Sequence, residues 1–262
     1  MLAAVVPIKN EEKRLKRTLE TLLSIPAELI VTVINGSSDN SYNIVRHILT
    51  EKILPLHFTD TLGFDIPRAI GAKAALERGA TTVLFIDGDM DGNISEKIME
   101  LADVIGQGAD MALTDCYPEE NVQDLSHLAN HVLKVRYQLN HTLGLEQSLG
   151  TASPSHGPHA VSRRLLLSVP LRELAIPPVS LALATKGGLQ VHVGTRVPHK
   201  DLGSPHKNTR HAQLIAETII GDCMEAINVY HGQERRRVCG EAEYDGYHSQ
   251  RRWDILNNYL SG

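Results

Sequence analysis

Asp87 and Asp89, with Gly88 between them, follow directly on the β-forming run TVLFI of residues 82–86. Such an apolar run reads as a buried strand of an α/β sheet, and these sheets bind ligands at the carboxyl ends of their strands. Two carboxylates one residue apart at that edge make a hard-oxygen site suited to Mg²⁺ or Mn²⁺. A divalent ion held there bridges the oxygens of a diphosphate and stabilises it as a leaving group. Asp-Gly is also an ordinary turn signal, so the pair alone leaves both readings open.

The elements that must position this pair are readable in outline. Residues 2–6 form a first strand, Pro7-Ile8-Lys9 a turn, and Asn10 suits the N-cap of a helix begun by Glu11-Glu12. Leu15, Leu19, Leu22 and Leu23 carry that helix at helical spacing. Residues 29–34 are a second strand, followed by the turn-rich NGSSDN and a helix over 41–49. A short third strand falls at 56–59, and Pro67 suits the first turn of a helix running to Gly79. Strand and helix patterns alternate to about residue 115, which favours a largely parallel sheet. Beyond it come a helical pattern over 121–143, a Ser/Pro/Gly-rich loop over 151–158 and short helices over 163–169 and 179–186. A strand over 189–193, a His- and Gly-containing loop over 198–205 and helices over 209–230 and 247–260 complete the chain.

With 262 residues, 42% of them hydrophobic, the chain suits one large α/β domain with an appendage. A net charge of −5 supplies no basic field for nucleic acid. The three cysteines are too scattered for a disulfide framework or a zinc site. The first apolar run ends at Ile8 with no basic segment before it, and no run reaches the length of a membrane span. A cytoplasmic location is the expectation.

In motif order the chain resembles the GT-A glycosyltransferases. VVPIKNEEKRLKRTLETLL resembles the nucleotide-binding start of family 2 members, INGSSDNS takes the place of their DDGSTD-type loop, and FIDGDM that of their DxD motif. Further on, HAVSRRLLLSVPL and LALATKGGLQVHVGTRVPHKDLG resemble the retaining glucosyl-3-phosphoglycerate synthases and their mannosyl relatives. The resemblance implies that Pro7 shapes the loop under the nucleobase, with Asn10, Glu11 or Glu12 and Asp39 facing base or ribose. Asn35 stands in the base loop where relatives often carry an acid. Asp89 is the implied direct metal ligand, Asp87 holds the ribose or a metal-bound water beside Gly88, and His199 is the third protein ligand. The alternatives stay open: Glu11 and Glu12 also suit the positive end of a helix, and Asp39 also suits a cap.

Arg68, Gly71 and Lys73 precede the metal strand. The cations suit a diphosphate and the glycine a close backbone approach, and a solvated helix face suits Arg68 and Lys73 equally well. His156 and His159 are placed over the sugar or acceptor, where either suits a general base. Arg163 and Arg164 either meet an anionic acceptor or carry surface charge. Arg235-Arg236-Arg237 and Arg251-Arg252-Trp253 either touch an anionic membrane surface or lipid phosphate, or are solvated.

The expected fold is α/β, a Rossmann-like GT-A fold with a mostly parallel central sheet flanked by helices and a C-terminal helical extension. Residues 1–115 are the expected nucleotide-sugar half, 116–208 the acceptor half and 209–262 the extension. The expected activity is metal-dependent transfer of a hexose from a nucleoside-diphosphate sugar, UDP by family frequency, to a hydroxyl on a small-molecule, lipid-linked or glycan acceptor. No acid lies in PPVSLALATKGG, where many inverting members place one, which leans the stereochemistry toward retention. DCYPEENVQDL replaces a GGRVTEL-like acceptor segment and leaves the acceptor open. Two rivals remain. A sugar-1-phosphate nucleotidyltransferase would normally show a GxGxR-like loop where this chain has PIKNEE. A non-catalytic nucleotide-sugar-binding module is the other. Peripheral membrane contact and a homodimer stay open.

Overall fold

The computed structural model describes residues 1–48, 50–118, 125–204 and 208–262. The first half lays down β1 (Leu2–Ile8), α1 (Leu15–Ser24), β2 (Leu29–Asn35), α2 (Ser41–Ile48), β3 (Ile53–Phe58), α3 (Ile66–Glu77), β4 (Thr82–Phe85), α4 (Ser95–Gly106) and β5 (Met111–Asp115). There follow α5 (His127–Thr142), α6 (Glu146–Leu149), β6 (His159–Ser162), α7 (Arg163–Ser168), α8 (Pro177–Lys186) and β7 (Val191–Arg196). The chain closes with α9 (Thr209–Tyr230), the hairpin β8 (Val238–Cys239) and β9 (Ala242–Glu243), and α10 (Trp253–Ser261).

The seven-stranded sheet has the order β3-β2-β1-β4-β6-β5-β7. Only β6 runs antiparallel, wedged between β4 and β5. The carboxyl ends of β1, β2, β4, β5 and β7 therefore share one edge with the amino end of β6. Strand alternation divides the core. Ala3 and Val5 of β1 face one layer with α3, α8 and α9, while Ala4, Val6 and Ile8 face the other with α1 and α4.

Several expectations are corrected. The first strand continues through Pro7 to Ile8, because a missing N–H near a strand's end removes little of the ladder. Asn10 is no helix cap: it has φ 57° in a loop, and α1 starts only at Leu15. The helix α4, whose Ile98, Leu101 and Ile105 face the core, falls in a stretch read only as general alternation. His159 lies in β6 rather than in a loop. The C-terminal extension holds a two-stranded hairpin besides its helices. The start of the expected 121–143 helix, residues 119–124 of the DCYPEENVQDL segment, the end of the 41–49 helix and Pro205 of the 198–205 loop lie outside the described residues. Among the described residues, no helix is long and apolar enough to cross a membrane.

Candidate active site

The loops after β1 and β2 are stitched to each other. The Asn10 backbone N–H donates to Ser37 Oγ (3.1 Å), and Asn10 Oδ1 accepts from the Ser38 N–H (2.8 Å). Asp39 Oδ2 accepts from the Glu12 N–H (2.9 Å) and Oδ1 from the Ser41 N–H (3.0 Å), so it caps α2 and holds the first loop at once. Glu12 returns the contact, accepting from the Asn40 N–H at 3.0 Å. Burial pulls the Asp39 carboxyl up, but hydrogen bonds from Ser41 and from the Glu12 backbone outweigh it and hold the group below its ordinary range. Glu11 anchors by its backbone, donating to Ser41 Oγ at 2.9 Å.

Asn35, at the end of β2, is buried and grips residues 62–63. Its Oδ1 accepts from the Leu62 N–H (2.6 Å) and its Nδ2 donates to the Gly63 carbonyl (3.1 Å). An acid there would lose the second of these bonds, which accounts for an amide at this position.

Gly88 is pinned to the first strand. Its N–H donates to the Pro7 carbonyl (3.0 Å), and its own carbonyl accepts from Thr18 Oγ1 (3.1 Å). Asp89, 6% exposed, accepts from Ser204 Oγ at 3.4 Å. The segment carrying His199 folds down on this turn: the Gly92 N–H donates to the Leu202 carbonyl (3.1 Å). Arg14 Nη1 spans the pair, donating to Asp91 Oδ1 (2.8 Å) and to the Gly203 carbonyl (2.6 Å). The His199 N–H donates to the Cys116 carbonyl (3.0 Å), just past β5. Asp89 and His199 thus reach one edge from two strands far apart in sequence.

Arg68 holds Asp87. Its Nη2 donates to Asp87 Oδ1 (2.7 Å) and its Nε to Asp65 Oδ1 (2.9 Å). Arg68 is 6% exposed; burial opposes its charge, but Asp87 and Asp65 outweigh it and raise the guanidinium above its usual value. Its Nη1 has no hydrogen-bond partner. The other two members of the expected diphosphate cluster lie elsewhere. A side chain at Gly71 would collide with Val5, so this glycine serves close packing of α3 on the sheet. Lys73 points to the C-terminal helix, donating to the Tyr259 carbonyl at 2.9 Å. Residues 68, 71 and 73 do not share one helix face, which separates Lys73 from Arg68.

On the β5–β6–β7 side, His156 Nε2 lies 3.1 Å from His199 Nδ1, and Tyr117 stacks on both rings at 5.5 and 5.8 Å. Burial, with the nearby charges of Arg136 and His199, holds His156 well below the ordinary histidine range. His159 is 4% exposed and stacks under Phe85 at 4.8 Å, and burial with the Arg68 charge likewise keeps it neutral. A ring sealed beneath the β4 strand is placed for packing rather than for proton transfer to an acceptor. Behind Tyr117 lies Arg136 of α5, 3% exposed, with its Nε unpartnered. Burial lowers its pKa, and the groups that oppose this are Tyr117, Cys223 and Cys116, none of them a carboxylate.

The remaining arginines leave this edge. Arg163 donates to the Leu76 and Ala80 carbonyls, and Arg164 pairs with Asp110, at the start of β5. Because β6 is antiparallel, these two sit at the opposite end of the sheet. Arg237 and Arg251 are buried against Asp222, Arg235 pairs with Glu173 and Glu225, and only Arg236 and Arg252 hold exposed partners. Arg237 and Arg251 are therefore internal pairs, while Arg235, Arg236 and Arg252 keep exposed side chains with acidic partners. Among the described residues, the group of three metal-type donors that converges is Asp222, Glu225 and His248, within 4.8 Å. Arg237 and Arg251 already fill that place with cationic charge. Asp87, Asp89 and His199 do not draw together to that separation, since Asp87 turns to Arg68 and His199 to His156.

Arg14, Asp65, Tyr117, Arg136 and Ser204 were not singled out by sequence. Each depends on a contact between distant parts of the chain or on burial, neither of which leaves a local pattern.

The sheet order, the acidic turn after β4 and the loop that folds onto it define a GT-A fold. The glycosyl transferase family 2 profile matches residues 3–168, most of the chain, so the chain belongs to that family and is a glycosyltransferase. No curated protein matches it by sequence. Among solved structures it is similar to a mycobacterial protein, with 14% identity, a TM-score of 0.63 and coverage of 89% of this chain and 76% of that one. It is also similar to glucosyl-3-phosphoglycerate synthase from Mycobacterium tuberculosis in complex with phosphoglyceric acid, at 14% identity, TM-score 0.63 and coverage of 89% and 81%. The same enzyme with Mn²⁺, uridine diphosphate and phosphoglyceric acid gives 17% identity, TM-score 0.57 and coverage of 85% and 78%. At these identities the likeness is one of fold.

Proposed function

We propose that this chain transfers a hexose from a uridine-diphosphate sugar to a hydroxyl on a small anionic acceptor, with Mg²⁺ or Mn²⁺ held by Asp89 and His199 and oriented by Asp87. The observation that carries the reading is the meeting of the DGD turn with the His199 segment at the carboxyl edge of the sheet. Carboxylate and imidazole donors suit such an ion. A His199 Nδ1–H donated to His156 Nε2 would leave His199 Nε2 as the ligand lone pair. The ion, when bound, neutralises charge on the departing diphosphate.

The chain's own groups do the rest. The stitched loops of Asn10, Glu12 and Asp39 form a rigid floor for base and ribose. Arg68, with Nη1 unpartnered, sits beside Asp87 at the place where a diphosphate or ribose oxygen would arrive. The acceptor side holds a neutral His156 and, behind Tyr117, Arg136, which has no carboxylate partner among the described residues and suits a carboxylate or phosphate. α8, where an inverting member would carry its acid, is a buried apolar helix, which supports retention. Solved relatives of this fold hold Mn²⁺, uridine diphosphate and phosphoglyceric acid together.

The test is calorimetric titration of UDP, GDP, CDP and dTDP, each with and without Mn²⁺, into wild type and Asp89→Ala. The expected result is Mn²⁺-dependent binding of UDP that falls by roughly 100-fold or more in the variant. Absence of binding by any diphosphate to folded wild type overturns the reading, and Mn²⁺-dependent binding without turnover on any acceptor supports a non-catalytic module instead.

A further inference from the structure

The loop of residues 61–65 lies between the donor edge and the C-terminal segment, and both sides grip it. Asn35 holds Leu62 and Gly63 from the β2 side. From the other side the Arg252 N–H donates to the Leu62 carbonyl (2.8 Å), Arg251 Nε donates to the Phe64 carbonyl (3.1 Å), and Tyr247 stacks on Phe64 at 5.7 Å. Approach is so close that a Cβ on Gly63, at φ 92°, would lie 2.7 Å from Arg251 Cα. At the end of this loop Asp65 adopts φ 61°, a left-handed conformation that costs a non-glycine residue about 1 kcal/mol or more.

Asp65 joins two buried arginines. Its Oδ1 accepts from Arg68 Nε (2.9 Å), and its Oδ2 lies 3.6 Å from Arg251 Nη2. Arg251, its side chain fully buried, is itself fixed by two parallel bonds to Asp222 of α9, at 2.9 and 2.7 Å. A continuous line of buried charge thus runs from α9 through Arg251, Asp65 and Arg68 to Asp87. A planar guanidinium held at two points on one carboxylate has little freedom to swing. Its position therefore sets where Asp65, and so Arg68, can stand.

We propose that Arg251 and Asp65 are positioning residues for donor binding: the C-terminal segment aims Arg68, and through it the Asp87 carboxylate, at the nucleotide-sugar site. The inference rests on the reading of Asp87 as a donor-side residue. It gives the C-terminal extension a role in the transferase site. Asp65 is not replaceable by an ordinary residue, since position 65 requires both the left-handed backbone and an acceptor facing two cations.

Asp65→Asn tests it. Asparagine tolerates the left-handed backbone and still accepts from Arg68, while removing the charge that Arg251 and Arg68 share. The variant is expected to unfold in urea close to wild type. It should bind UDP with Mn²⁺ roughly tenfold more weakly, with donor KM raised by a like factor and acceptor KM unchanged. Arg251→Lys keeps a charge without the two-point grip and should show the same split. Arg252→Ala, which removes only an exposed pair with Asp254, is expected to leave all three values as they were. The double variant Asp65→Asn/Asp87→Asn should lose less than the product of the two single losses, since Asp65 acts through Arg68, which Asp87 shares. Folded Asp65→Asn with wild-type UDP affinity and donor KM, or losses in the double variant that multiply in full, overturns the inference while wild-type binding still upholds the donor reading. No UDP binding by wild type overturns both together.

Discussion

Adjacent residues of α9 face two regions that bury arginine in opposite ways. Asp222 looks into a region where Arg237 and Arg251 meet Asp222, Glu225 and Asp65, with His248 and backbone carbonyls filling the remaining bonds. Cys223, one position on, contributes to the surroundings of Arg136, which is just as buried and has no carboxylate among its described neighbours. Charge matched inside the protein fixes the fold; a buried charge with no partner among the described residues and close to a candidate site would suit an anion from outside. The two regions differ in compensation rather than in burial: Arg136, beside His156 and Tyr117, has no carboxylate partner among the described residues.

The sharpest way to break this comparison is to remove one arginine from each region. Arg237→Ala strips the cation from Asp222 and Glu225 and leaves both acids buried. Its expected cost is about 3–5 kcal/mol in urea unfolding. Arg136→Leu removes an uncompensated buried charge and is expected to leave stability unchanged or raise it by about 1–3 kcal/mol, the opposite sign. The same variant should raise the KM of an anionic acceptor by roughly 10–100-fold while the donor KM stays near wild type. Destabilisation by Arg136→Leu comparable to that of Arg237→Ala would erase the distinction. Equal losses for charged and neutral acceptors would remove Arg136 from the acceptor site.

These two regions also show what the sequence carried. The donor half was legible because its signals are local: apolar runs ending in Asn-Gly or Asp-Gly, leucines at helical spacing after Glu11-Glu12, and Pro67 near a helix start. His199 was placed through the GTRVPH resemblance, and the structure sets its segment on the DGD turn. The four-residue strand of His159–Ser162 was not legible, since its place between β4 and β5 depends on partners far away in the chain, such as Leu113 opposite His159 and Phe85 on the other side. That one miss carried others with it: His159 was placed on a loop when it lies under Phe85, and for Arg163 and Arg164 acceptor contact was left open beside surface charge although they sit at the other end of the sheet. Of the Arg235–Arg237 run only Arg237 departs from the surface reading, because its acids, Asp222 and Glu225, lie on another element. Lys73 shows the limit of proximity in sequence: five residues from Arg68, it points at a helix that begins 180 residues later.

The smallest expected effect sharpens the comparison from the matched side. His248 lies among the paired arginines, where its Nδ1 is 2.8 Å from Arg251 Nη1. That contact requires a neutral ring with its lone pair toward the guanidinium. Burial and the charges of Arg237 and Arg251 lower its pKa to about 4, against the weaker pull of Asp222 and Asp245. An unfolded histidine titrates near 6.5. Between these values the unfolded chain binds the proton and the folded chain does not. The contribution is therefore fully present above pH about 6.5 and is lost as pH falls toward 4. With a discount for the ring's partial exposure, the loss between pH 7 and pH 5 is about 1 kcal/mol. His248→Asn keeps an acceptor toward Arg251 without the titration. It should match wild type at pH 7 within about 1 kcal/mol and lose less stability on acidification, read as a smaller shift in urea midpoint between the two pH values. An equal shift in both proteins would mean that a region whose charges are already matched tolerates one more proton, and the contrast with Arg136 would then rest on the stability signs alone.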